Sequence, residues 1–174
     1  MPRNHANLIM LCLCLLCAGR GCKKQPEPNQ PALNLFNPAP PPLPTETLAL
    51  GTESFTVELA FTRAARNRGL MFRPELPPNA GMLFVFDKTI PQNFYMKNCL
   101  IDLDLLYLDD TGQVTKIITM QKPVPGQPLL YYSSDVPVKY ALELPAGTAR
   151  RLNLAPGQKI PLPSRIRTII VDPD

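Results

Sequence analysis

Two carboxylic acids (Asp104 and Glu143), three cations (Arg66, Arg73 and Lys97), the Asn98 amide and the Tyr95 phenol are the side chains of this chain on which chemistry could rest. Arg73, Tyr95, Lys97, Asn98 and Asp104 crowd into one stretch, Gly69 to Asp104, which also carries two apolar runs and a turn rich in Pro, Asn and Gly. Guanidinium and ammonium groups converging on a cleft would bind a carboxylate or phosphate, while a tyrosine beside them offers a sugar a stacking face. The carboxylates allow a second chemistry, in which Asp104 or Glu143 is a general acid or base and Arg73 or Lys97 steadies developing charge. Each group also has a structural use. The arginines would pair with Asp104 or Glu143, and Asn98, sharing a strand face with Phe94 and Met96, would hold a turn.

What is missing narrows the choice. The one histidine, His5, lies in the leader, so the mature chain has neither a Ser-His-Asp or Cys-His arrangement nor a His-ligated zinc site. Four of the five cysteines lie in the first 22 residues, which leaves Cys99 alone in the body and no disulfide framework. Asp109-Asp110 is ordinary turn chemistry. No phosphate loop or dinucleotide fingerprint occurs, and no cofactor or metal is expected. The formal charge of +4 falls to +2 without Arg3 and Arg20, too little and too scattered for a nucleic-acid partner.

The positions around this set show where it is delivered. Arg3 and His5 precede an apolar run, Leu8 to Ala18, with small residues and then Cys22 behind it. This is the layout of an export signal over 1–21, too short for a permanent span. Gly21-Cys22 is similar to a lipobox, although Gly19 and Arg20 depart from it; lipidation of Cys22 and plain secretion are the two alternatives. Eight of the 22 prolines fall between Pro26 and Pro44, so 22–47 is expected to be an extended tether reaching about 75 Å at about 3.1 Å per residue. The expected setting is the cell envelope, with the membrane as partner through the lipid on Cys22 and a monomeric domain over 48–174.

Within that domain, alternation at Phe55, Val57, Leu59 and Phe61 predicts a strand, and Thr62 a cap for a short helix that Gly69 ends. Met82–Phe86 and Asn93–Asn98 read as extended runs. Leu103–Leu108 and Val114–Met120, about Asp109-Asp110-Thr111-Gly112, read as a hairpin. Val138–Leu144 alternates, Thr148 would cap a second short helix, and Thr168–Val171 would be a last strand. The fold class expected is a β-rich α+β domain, a compact, mainly antiparallel sheet or small barrel with two short helices.

The segments VELAFTRAARNRGLMFR, GMLFVF, FYMKNCLIDLDLLYLD and ALELPAG, in this order, resemble domain-of-unknown-function family 192 (DUF192) from about Thr56 to Ile160. The resemblance implies a compact β-rich domain, often exported, and no reaction. Tyr95 stands where the family pattern has Trp, Cys99 where it has Thr and Asp102 where it has Pro. The function expected is binding of a small polar or anionic ligand, or of an envelope polymer, through Arg66, Arg73, Tyr95, Lys97, Asn98, Asp104 and Glu143. A carboxylate-dependent hydrolase of envelope glycans and an interaction module of an envelope complex are the alternatives.

Overall fold

Alternation carried by β-branched and aromatic residues builds most of this domain. The computed structural model describes residues 41–173. The expected signal peptide, Cys22 and the tether up to residue 40 lie outside the described residues. The first strand, β1 (Thr45–Leu50), opens three residues ahead of the expected boundary at Leu48, because Glu46 points inward with Leu48 and Leu50. Its buried carboxylate meets Arg165, a long-range pairing that apolar periodicity does not register.

β2 (Glu53–Ala60) pairs antiparallel with β1 and then, across α1 (Arg63–Arg68), parallel with β3 (Ala80–Ile90). β4 (Asn93–Tyr95) leaves the main sheet, and β5 (Leu103–Leu108) and β6 (Val114–Met120) form the predicted hairpin. Asp109 accepts hydrogen bonds from the backbone of Thr111 and Gln113 at its tip, as expected of a turn residue. β7 (Tyr131–Ser133) pairs with β4 as a two-stranded ribbon, and β8 (Val138–Pro145) enters the main sheet between β3 and β5. The order is β1-β2-β3-β8-β5-β6, an open mixed sheet and not a barrel.

Among the described residues there are three short helices where two were expected. α2 (Thr148–Arg151) starts from Gly147 with no side-chain cap, which corrects the capping role expected of Thr148. α3 (Ser164–Arg167) is the addition, and the expected strand over Thr168–Val171 does not form.

β3, β5 and β8 are buried on both faces, and alternation divides their side chains between two cores. Leu83, Val85, Leu106, Leu142 and Leu144 pack with β1 and β2 under Ala149, Leu154, Ile160 and Ile166. Met82, Phe84, Phe86, Leu105, Tyr107 and Ala141 face the other way, under Leu70, Met96 and Cys99. Gly81 lets β3 and β8 approach: a Cβ there would stand 2.6 Å from the Glu143 carbonyl oxygen and 2.9 Å from Leu144 Cδ2.

Candidate functional site

The second core is incomplete at one edge, where α1 and the chain after it stand opposite β4. Thr62 caps α1 as expected, its Oγ1 accepting from the Ala65 N–H at 3.1 Å. Gly69 ends the helix at φ +48°, and its bare Cα brings the chain against Phe84, whose Cζ would lie 3.3 Å from a Cβ. On the opposite side Ser134 fixes Gln92 twice, accepting from its backbone N–H at 3.0 Å and donating its own N–H to the Gln92 carbonyl at 2.9 Å. Tyr107 ties the ribbon to the sheet through a 2.6 Å hydrogen bond from its hydroxyl to the Tyr132 carbonyl.

Between these walls lies a cleft of about 350 Å³, within the range of small-molecule sites. Phe84, Phe86 and Phe94 line it; Phe94 meets Phe84 edge-to-face at 5.0 Å and Phe86 at 6.3 Å. Leu70 and Met71 close one side, Tyr95 stands at the rim with its ring 6.1 Å from that of Tyr131, and Glu143 reaches in from β8.

Glu143 is the anomaly of the layer. In register its neighbours are Met82 on β3 and Leu105 on β5, both fully buried and apolar. Its Oε2 is buried with no hydrogen-bond partner among the described residues. Burial pushes the carboxyl up to about 8, against a smaller opposing pull from Arg73, so at neutral pH it carries its proton. The Gln92 side-chain nitrogen is likewise buried and unpartnered, and Gln92 lines the same cleft. Buried polar atoms are nearly always bonded, so two such atoms on residues lining one cleft set it apart from the rest of the described core.

Of the residues expected to form the site, Arg66, Tyr95 and Glu143 line the cleft. The Arg66 guanidinium bridges α1 to its surroundings, donating to the carbonyls of Phe61 (2.7 Å), Val85 (3.3 Å) and Asp172 (2.6 Å). Arg73 is held by Glu58 in a two-pronged pair of 2.5 and 2.7 Å, which corrects the pairing with Asp104 or Glu143. Its partner sits on β2, 15 residues away and in the row of Met82 and Glu143. Asn98 lies beyond the end of β4, in a turn at φ +58° and not on a strand face with Phe94 and Met96, and it is its backbone carbonyl, not its amide, that accepts from Phe72 N–H at 2.8 Å. Lys97 is exposed and is not among the residues that line the cleft.

Asp104 is on the other face of the sheet. Its buried carboxylate accepts from Thr119 Oγ1 at 2.7 Å and from the Ala149 N–H at 2.8 Å, anchoring the first turn of α2. Asp104 and Glu143 therefore do not form one catalytic pair. Cys99 lines the cleft, but burial first and Glu143 second raise its thiol to about 11, which fits inert packing and not a nucleophile.

Sequence reasoning missed Gln92, and it took Phe84 and Phe86 for plain core. A cleft floor and a core strand have the same alternation, and a single glutamine after Pro91 carries no signal of its own.

The model of family DUF192, described as "Uncharacterized ACR", matches residues 46–162. The chain belongs to this family. Two solved structures are similar to its DUF192 domain. One is a protein of Sinorhizobium meliloti 1021 described as a "putative transcription regulator", 36% identical, with TM-score 0.59 over 66% of this chain and 89% of that one. The other is a protein of unknown function from Novosphingobium aromaticivorans DSM 12444, 30% identical, with TM-score 0.56 over 67% of this chain and 82% of that one. No curated protein matches the chain.

Proposed function

We propose that this DUF192 protein is an exported, envelope-anchored domain that holds a small polar ligand in the cleft between α1 and β4. Residues 1–21 direct export, lipid on Cys22 holds the chain at the membrane, and the proline-rich tether lifts the domain away from it. The observation that carries the reading is the buried Glu143 carboxyl, whose Oε2 has no hydrogen-bond partner among the described residues, in a cleft lined by aromatic rings. What favours binding over turnover is the use already made of the other charged groups. Asp104 anchors α2, Arg73 is tied to Glu58, and Lys97 is not among the cleft's lining residues, so Glu143 alone of the general acid/base scheme lines the cleft, without either of the cations named for it.

A screen of small neutral ring compounds and envelope-glycan fragments by protein-observed NMR tests this. The expected hits move the signals of Gly69, Phe84, Gln92 and Phe94 together. A screen whose hits all map elsewhere, or that yields none, overturns the assignment of the cleft.

A further inference from the structure

Resting on that reading, the chemistry of the cleft also names a ligand class. The two unpartnered atoms differ in what they ask for. An amide N–H₂ donates only. A protonated carboxyl offers one O–H donor and a carbonyl acceptor. Phe84, Phe86, Phe94, Leu70 and Met71 supply apolar contact, while Asn67, Asn93 and Tyr95 are polar neighbours and Arg66 and Arg68 the cations of the lining.

The charged and titratable groups that face Glu143 are few. Arg73 is bound to Glu58 beside it, Cys99 and Tyr107 are kept protonated by burial, and Arg66 and Arg68 come from α1. Arg66 is engaged with backbone carbonyls, and Arg68 is exposed at the rim. No cation is bonded to the Glu143 carboxyl among the described residues, so ionising it inside the cleft is costly.

We infer that the cleft takes an uncharged ring bearing a hydrogen-bond acceptor beside a donor, bound by the protonated Glu143 carboxyl and the Gln92 amide, and releases it when Glu143 ionises. A lactam, with C=O next to N–H, and an amino sugar, with hydroxyl next to acetamido, share this chemistry. The ring's apolar faces would lie against the phenylalanines, and its polar edge would satisfy both orphaned atoms. Ionisation removes the only O–H donor of the pair and puts a charge against the acceptor it served.

The probes are 2-piperidone and N-acetylglucosamine, titrated by NMR into the full protein and into Glu143→Gln at pH 6 and pH 9. One unit above a midpoint near 8, about one carboxyl in ten keeps its proton, so wild-type affinity should fall about tenfold between the two conditions. Glu143→Gln, whose amide stays neutral, should bind with affinities within about twofold of each other. Binding by either probe with that pattern supports the inference, and the probe that binds names the source. Cleft binding of equal strength at both pH values overturns the linkage while leaving the cleft a ligand site. Failure of both probes, when other compounds of the broader screen do shift Phe84 and Phe94, overturns the ligand class alone. A cleft that nothing enters fails the underlying assignment, and the inference with it.

Discussion

Raising the pH from 5 to 9 is expected to remove up to about 4 kcal/mol of folding stability from the wild-type protein, and Glu143→Gln is expected to abolish that loss. The carboxyl's ordinary value of 4.5 is raised to about 8 in the folded state, with burial as the leading cause. Between those values the folded chain holds a proton that the unfolded chain has released. Stability contributed by this group is therefore complete below about 4.5, falls as pH rises, and is gone above about 8. Each unit of difference is worth about 1.4 kcal/mol, which sets the size of the effect. Urea denaturation at pH 5, 7 and 9 reads it directly. A variant with the same slope as wild type, or a wild type that gains stability over this range, would show that Glu143 is solvated or paired.

Asp104→Ala is expected to cost about 3 kcal/mol, on the order of 10 °C in Tm. The hydrogen bonds from Thr119 and Ala149 to the Asp104 side chain disappear, and the Ala149 N–H at the start of α2 is left buried without a partner. Asp104→Asn keeps the shape and one acceptor and should lose about half as much. Thermal melts of both variants, with the Ala149 amide followed by hydrogen exchange, check the result. An Asp104→Ala protein that melts like wild type would contradict the anchoring role. An enzymatic activity lost in Asp104→Asn at unchanged Tm would return Asp104 to the hydrolase scheme.

Both predictions turn on residues that were singled out in the sequence, yet only the structure separates their roles. Asp104 and Glu143 sit on neighbouring strands in a sheet buried on both sides, and strand parity sends them to opposite faces. Local signals were readable: the Thr62 cap and Gly69 stop of α1, the β5–β6 hairpin with Asp109 at its tip, and the alternation of β2 and β8. Pairings that depend on distant chain were not. The parallel β2–β3 contact is made across only a six-residue helix and a long loop, and Arg73 finds Glu58 on a strand that precedes that helix. α3 follows Pro163 and ends just before Thr168–Val171, the stretch that reads as a strand, and it is held from outside by Glu46 of β1 and by burial of Ile166.

The cleft was the least legible feature because its polar anchor and its aromatic floor belong to four different elements. Glu143 comes from β8, Phe84 and Phe86 from β3, Phe94 from β4, and Gln92 from the turn before it. Each looks ordinary in its own segment, and only the fold assembles them.

Titration of the Glu143 side-chain carboxyl carbon by ¹³C NMR in the unliganded protein tests the central claim most directly. A midpoint near 8 is predicted, since the carboxyl is buried and its Oε2 has no hydrogen-bond partner among the described residues, which is the condition the proposed ligand site rests on. A midpoint at the ordinary 4.5 would mean that water or a cation already serves the group, and the cleft would lose the anchor on which the account rests.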